Sequence, residues 1–481
     1  MDRYNEALPA RSGNSLVSTV GGAVYLAERM AEFALGLDFG ELPSSVVEAT
    51  TWIVADTLAC GVAALGEPGP ALLRRYALEH TGRPEATLLG GGERVDLTLA
   101  ALVNAALVRD LDANDIYAAP PGKDTGHFSD AIPALLAAAE LAGASGRDLL
   151  AAVVVVYELQ AALAEAYRWM QRGLHPVSQV AWAVPAAAGR LLGLSREQIV
   201  SAIGLAGTTG GLVLQSWLKP GPELPLIKGA APGLVCQRAL EAVQLAAGGL
   251  TAPPDALETL CERLPSDFDP AAFDRLDGRG NWAVLRTIIK RYPAQIYTQA
   301  AIAAAASLHH EIGSVDGIAM VTVYGHRQVT AGVQGSPGAY APRTRAAADH
   351  STPFVVAIAL RDGDLTPASY QGEPWRDPAL LDLMRRIDLV IDPEFERAFH
   401  EEGVLGCRVV VELLDGRRLE AMVRQPPGHP DSPLAREELL AKLRALVEPR
   451  LGPGAAERLL ATAERLPEAP DVAALLEACR S

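Results

Sequence analysis

Two loop segments place carboxylates near imidazoles, the pairing that acid–base chemistry on a small anion asks for. Asp112-Ala113-Asn114-Asp115 is followed, across a Pro/Gly-containing loop, by Gly126-His127-Phe128-Ser129-Asp130. A carboxylate beside a histidine can fix its tautomer and raise its pKa, which suits proton transfer. The same residues also suit helix capping, because Asp and Asn are good caps and Ser129 or Asp130 could open the next helix. Gly173-Leu174-His175-Pro176 holds a second histidine. A residue before proline is pushed out of helical geometry and can point into a cavity, although a solvated loop histidine has the same signature.

Positive charge in this chain is nearly all arginine; the lysines are Lys123, Lys219, Lys228, Lys290 and Lys442. A lysine retained among so many arginines offers a compact point charge with a tunable pKa. Lys228 stands without another charge in Pro225-Leu226-Ile227-Lys228-Gly229-Ala230-Ala231, and Lys290 stands in Thr287-Ile288-Ile289-Lys290-Arg291-Tyr292-Pro293. Either could instead snorkel from a helix end to water. The ligand spacing of Asp112, Asp115 and His127 matches no common metal pattern.

The elements that must position these groups read as mainly helical. The chain has 481 residues, 49% apolar but only 5% aromatic, and its alanine and leucine content favours helix. That length predicts two domains. Helices are expected over Val46–Ala64, after an N-cap candidate in Leu42-Pro43-Ser44-Ser45, and over Leu97–Asp110, Ile132–Ala144, Arg147–Ala166 and Val177–Leu192. Ser195 and Gln198 form a capping-box pattern, and Gly207–Gly211 reads as a turn that follows a helix. Near Asp277 the character changes. Ile318–Tyr324 reads as a strand, and Cys407–Leu414 with Arg417–Val423 as a hairpin about Asp415-Gly416. Helical runs at Ala294–His309 and Thr352–Leu360 complete an inserted α+β module, and helices at Ala435–Glu448 and Ala455–Leu466 follow the Pro426–Pro433 stretch. The expected division is residues 1–285 helical, 286–425 an α+β lid and 426–481 helical again.

Bulk properties exclude several partners. The net charge of -16 and pI near 5.1 argue against nucleic acid or an anionic membrane, so an anion site must be a local cationic pocket. Cys60, Cys236, Cys261, Cys407 and Cys479 form no CxxC pair, which points away from zinc and iron–sulfur centres and toward a reducing, cytoplasmic compartment. The start MDRYNEALPARSGNSLVS has no secretory pattern, and the apolar stretch Leu149–Val156 is too short to span a bilayer.

Taken in order, these segments resemble the MmgE/PrpD family from about Ala31 to Val447. The blocks that carry the likeness are DANDIYAAPPGKDTGHFSD, YELQAALAEAYRWMQRGLHP, LLGLSREQIVSAIGLA, IKGAAPG, IIKRYPAQIYTQAAI and ADHSTPFVVAIAL. The 2-methylcitrate dehydratase branch is the most similar. The resemblance implies a large helical domain with a smaller α+β lid, a cleft between them, a homodimer, and no metal or other cofactor. It implies that Asp112, His127, His175, Lys228 and Lys290 line the active site. His127 and His175 are then the expected proton-transfer pair, tuned by Asp112. Lys228, Lys290, Arg291, Tyr292, Gln295 and Asp115 are expected to bind a small polycarboxylate. Phe128, in place of the family's usual proline, Ile116, in place of threonine, and a longer 116–126 loop depart from the pattern; Phe128 and the loop are expected to border the pocket. Gln295 stands where decarboxylase members carry histidine. The implied reaction is dehydration; decarboxylation, epimerisation and non-catalytic anion binding by a helical scaffold are the alternatives.

Overall fold

The computed structural model describes residues 24–263, 268–277 and 280–480, so the start judged above for a secretory pattern lies outside the described residues up to Ser18. The protein is mainly α-helical. Among the described residues its interior holds, besides a small cluster of Ile116, Ile288 and Ile296, two large hydrophobic cores. One is built by residues 26–284 together with 439–479, the other by residues 292–423.

The first core is a stack of alanine- and leucine-rich helices. Leu97–Asp110 begins and ends where the sequence predicts. Ile132–Ala142 stops at Gly143, whose left-handed backbone (φ 61°) ends it two residues before the expected Ala144. Gly146–Ala166 starts from a Ser145/Asp148 capping box, and Arg196–Gly210 from the expected Ser195/Gln198 box. Ser44–Ala63 starts differently: Pro43 occupies the cap position without a side-chain bond, and Ser44 is already helical. Gly207 is not in a turn but inside a helix. A Cβ there would meet the Trp182 ring at 2.2 Å, so this glycine serves close packing. Leu149–Val156 likewise belongs to a longer helix than its apolar run suggests. Ser44–Ala63 and Gly146–Ala166 are long and apolar enough to cross a bilayer, yet 78% and 94% of their apolar windows are buried within the protein; packing against other helices accounts for their hydropathy.

The second core lies under a four-stranded sheet in the order Ile387–Ile391, Ile318–Gly325, Cys407–Leu413, Arg418–Val423. The hairpin around Asp415-Gly416 is antiparallel, whereas Ile387–Ile391, a strand the sequence reading did not anticipate, runs parallel to Ile318–Gly325. Parallel neighbours need a crossover; here it includes the helices Thr352–Asp362 and Pro378–Arg385. The helix expected from Ala294 begins only at Gln299. Before it, Gln295 caps a short 3-10 turn, Ile296–Thr298, by accepting from the Tyr297 N–H.

Two connections join the cores where the chemistry is expected. Ile116-Tyr117 pairs antiparallel with Thr287-Ile288, in register Ile116 to Ile288. At the other end of the chain, Arg436–Leu451 returns to the first core, where Lys442 Nζ lies 2.5 Å from buried Asp56 and donates to the Ala113 carbonyl at 3.0 Å.

Candidate active site

The site grows from the end of the Leu97–Asp110 helix. Two residues on, Asp112 has φ +52°, one of only two non-glycine residues with positive φ among the described residues. Aspartate tolerates this left-handed region better than most residues. The bend keeps the Asp112 carboxylate buried (1% exposed) and turns it back toward Arg109, whose Nη1 is 2.8 Å from Oδ1.

Two lysines from distant segments converge on the same carboxylate. Lys290 Nζ is 2.6 Å from Oδ1 and also donates to the Asp112 carbonyl and, at 3.4 Å, to that of Ala294. The short Ile116–Ile288 pairing delivers it, since Lys290 lies two residues past Ile288. Lys228 Nζ is 3.0 Å from Oδ2. Its helix, Ile227–Ala247, comes close because two glycines face the Leu97–Asp110 helix: a Cβ on Gly233 would sit 2.1 Å from the Leu102 carbonyl oxygen, and one on Gly229 2.6 Å from Asp110 Oδ1. Both lysines are buried, at 4% and 0% exposed, so neither snorkels to water.

His127 sits against the same group, with Nε2 3.9 Å from Asp112 Oδ1. Its Nδ1 lies 2.6 Å from the Asp115 carbonyl oxygen, which can only accept. Nδ1 therefore carries the proton in the neutral ring, and Nε2 presents a lone pair. In His175 the tautomer is reversed: Nδ1 accepts from the Val177 N–H at 3.2 Å, so Nε2 is the N–H. His175 packs beside Trp217, with ring centroids 5.1 Å apart. The Asp115 side chain does not reach into this cluster. It accepts from Ser129 Oγ at 2.5 Å and from Tyr157 Oη at 2.6 Å, and so anchors the loop from behind.

Electrostatics follow from this crowding in a dry interior. Burial alone would raise the Asp112 pKa, but Arg109, then Lys228 and Lys290, hold it well below the usual carboxylate range. Burial and Arg109 push His175 down to about 3. Burial, Arg109 and Lys290 hold His127 well below its ordinary value. Both imidazoles are therefore neutral near pH 7. Burial also lowers Lys290 to about 8 and raises Asp115 to about 6 and Asp130 to about 7.

Other predicted residues stand apart. Arg291 pairs with Asp364 at 3.1 Å and lies over the Tyr292 ring, while Tyr292 is part of the second core. Their side chains make these contacts rather than contacts to Asp112, because the chain bends over residues 291–294, directly after Lys290. Gln295 donates its backbone N–H to the Asp349 carbonyl at 3.0 Å, and its Oε1 caps the following 3-10 turn. Phe128 is fully buried, stacked on Tyr117 at 4.8 Å and edge-on to Tyr157. Its ring packs in the core behind the loop, against these two tyrosines.

The sequence reading missed a second half of the cluster. His350 Nδ1 donates to Asp349 Oδ1, and its Nε2 is 3.5 Å from Asp112 Oδ2. Arg345 binds Asp349 Oδ2 at 2.7 Å and Asp110 Oδ2 at 2.6 Å. Arg109 was missed as well. Its spacing of three from Asp112 and the adjacency of Asp349 and His350 in ADHSTPF were available signals, but each is common in helical proteins. Asp112, Asp349 and His350 bring three potential metal-ligating atoms within 4.8 Å of one another. Arg109, Lys228, Lys290 and Arg345 already pair with those carboxylates. A cation would have to enter against four positive charges, so the donor set fits an anion better than a metal. A surface groove lined by Thr87, Arg94, Glu140 and Arg480 is elsewhere.

Comparison with known proteins gives this arrangement a lineage. A model of the MmgE/PrpD N-terminal domain matches residues 28–260, and one of the MmgE/PrpD C-terminal domain matches residues 292–468. The 2-methylcitrate dehydratase of Cupriavidus necator is 29% identical over 399 residues, covering 78% of this chain and 80% of that protein. The Escherichia coli K12 2-methylcitrate dehydratase is 28% identical over 410 residues, covering 81% and 83%. Human cis-aconitate decarboxylase is 26% identical over 466 residues, covering 94% and 93%. Two domain matches in sequence order, one on each side of the seam where the buried cluster lies, settle its kinship: the chain belongs to the MmgE/PrpD family.

Proposed function

We propose that this protein is a hydro-lyase that dehydrates a small hydroxy-polycarboxylate, such as 2-methylcitrate, to an aconitate-type product, with side chains of its own and no metal or other cofactor. The observation that carries the reading is the buried convergence of Arg109, Lys228 and Lys290 on Asp112, with the His127 lone pair facing them. A proton next to a carboxylate is very weakly acidic, so fixed positive charge must stabilise the aci-carboxylate that forms on its removal.

The tautomers suggest the division of labour. Neutral His127 takes the proton on Nε2, and Asp112, 3.9 Å away, stabilises the imidazolium. His175 gives the substrate hydroxyl a hydrogen bond from its Nε2–H; a neutral imidazole is too weak an acid to do more. The C–O bond breaks as the electron pair forms the alkene, and the hydroxyl leaves as water with the proton that His127 returns. Lys228 holds a carboxylate so that one C–H faces His127, and Lys290, tied to Asp112 and the Ala294 carbonyl, adds fixed positive charge behind it. In this reading the α+β module acts as a lid over the cluster.

His127→Gln should lower turnover by about 10³–10⁴-fold and His175→Gln by about 10²–10³-fold, read as conjugated-alkene absorbance with 2-methylcitrate, citrate and cis-aconitate, followed by product identification. Near-parent rates in both variants would overturn the assignment. Release of CO₂ in place of water would favour decarboxylation, the reaction named for the human relative. Gln295, whose amide oxygen is committed to the Tyr297 N–H, argues against that outcome.

A further inference from the structure

The dehydratase reading leaves open which group carries the charge that builds up as the proton leaves, and the cluster's hydrogen bonds discriminate among its cations. Arg345 commits its guanidinium to Glu67, Asp110 and Asp349. Lys290 commits its ammonium to the Asp112 carboxylate and carbonyl and to the Ala294 carbonyl. Arg109 differs. It is 5% exposed; its Nη1 is tied to Asp112 Oδ1 at 2.8 Å, while its Nε, 3.9 Å from Asp130 Oδ2, has no hydrogen-bond partner. Lys228 Nζ is in the same condition, with ionic contacts to Asp112 at 3.0 Å and Asp349 at 4.0 Å but no hydrogen-bond partner.

Buried donors left without acceptors are unfavourable and are rare away from functional sites. These lie at the two oxygens of one carboxylate, Arg109 by Oδ1 and Lys228 by Oδ2, and an incoming anion would satisfy both. Among charged neighbours Arg109 also acts most strongly on both imidazoles, His127 and His175.

We infer that Arg109, with Lys228 beside it, is the receptor for the substrate carboxylate attached to the carbon that loses its proton, and is thus a catalytic residue. As His127 Nε2 takes that proton, the C–H electron pair moves toward the carboxylate, and the second negative charge gathers on oxygens held by the Arg109 fork. The pair then returns to form the alkene while the C–O bond breaks and hydroxide leaves as water with the His127 proton. A guanidinium suits this task because its planar donors match two carboxylate oxygens at once and it stays charged throughout.

The test uses the full chain with Arg109→Gln, Arg109→Ala and Arg109→Lys, each checked for folding by circular dichroism and thermal melting. Arg109→Gln should lose about 10²–10³-fold in kcat/KM on the dehydrated substrate. Added guanidinium should restore Arg109→Ala saturably. The acidic limb of the pH–rate profile should move to higher pH. His127 faces Arg109, Lys290 and Asp112, and His175 faces Arg109, Asp112 and Lys228; taking one positive charge from either set makes protonation easier. Calorimetric binding of tricarballylate, a tricarboxylate that lacks the hydroxyl and cannot be dehydrated, should weaken at least tenfold in Arg109→Gln.

If the parent dehydrates its substrate and Arg109→Gln matches it in kcat/KM and in tricarballylate affinity, the receptor assignment falls and the dehydratase reading stands. Absence of guanidinium rescue also counts against the receptor. If the parent neither binds tricarballylate nor turns over any hydroxy-polycarboxylate, the reading falls and the assignment with it. Should the shorter side chains prevent folding, Arg109→Lys decides: the receptor requires a loss of tenfold or more in kcat, and an unchanged kcat overturns it.

Discussion

Asp112 holds a backbone conformation that costs a non-glycine residue about 1–2 kcal/mol, and in that conformation its carboxylate meets three cations. Asp112→Asn should keep the shape but leave Arg109, Lys228 and Lys290 without their shared counter-charge. Breaking buried pairs of this kind costs about 3–5 kcal/mol, so chemical denaturation should show a loss of that order together with lost turnover. A saturating tricarboxylate should raise the melting temperature of Asp112→Asn more than that of the parent, because the ligand then supplies the missing negative charge. Titration at single residues gives a second expectation. His175, lowered to about 3 by burial first, binds protons less well folded than unfolded. Its stabilising contribution is complete above the unfolded value of about 6.5 and is lost as pH falls toward 3. Asp115 and Asp130, raised to about 6 and about 7 by burial, act in the opposite sense across the same window. His175→Gln removes one side of this balance. Relative to the parent, its stability should therefore rise as pH falls from about 6.5, by up to about 1.4 kcal/mol per pH unit; denaturant melts of both proteins across that range would check the sign.

Between elements, the decisive contact is the close approach of Ile227–Ala247 to Leu97–Asp110. The four-residue spacing of Gly229 and Gly233 puts both on one helix face, and at Gly233 a Cβ would strike backbone at 2.1 Å. Gly233→Ala should therefore force the helices apart, costing about 1–3 kcal/mol as overpacking does, and lower activity by moving Lys228 away from Asp112. Gly210→Ala, where a Cβ would make an ordinary 3.6 Å contact with Arg238, should leave activity and stability near the parent's. The pair of variants separates helix spacing from glycine content. The IKGAAPG block was visible as a marker of kinship; why its glycines are needed was not, because a sequence does not say which helix a face will meet.

Over the whole molecule, the end of the chain is part of what holds the site. Lys442, from a helix that follows the α+β module, reaches Asp56 on the Ser44–Ala63 helix and the carbonyl of Ala113, next to Asp112. Burial raises the Asp56 pKa, and Lys442 opposes that rise. Lys442→Met leaves a buried carboxylate unpaired and should cost about 3–5 kcal/mol in denaturant titrations; Asp56→Asn in the same chain should recover part of that loss. The overall charge of -16 makes the inward clustering of Arg109, Lys228, Lys290 and Arg345 all the more necessary, since an anionic substrate meets a repelling surface before it reaches them.

By itself, the sequence determined the helical character, the limits of several helices, the hairpin at Asp415-Gly416, and the membership of Asp112, His127, Lys228 and Lys290 in one family pattern. These follow from local propensity, periodicity, turn chemistry and motif order, which operate within a few residues or repeat along the chain. Only the tertiary structure decided that Arg109, Asp349 and His350 join the cluster, that Arg291 turns to Asp364, that Phe128 fills the core, and that the two histidines carry opposite tautomers. The reason is physical: which buried charges meet, and which nitrogen keeps its proton, depends on partners up to hundreds of residues apart brought within about 3–4 Å, where a low dielectric makes each contact count.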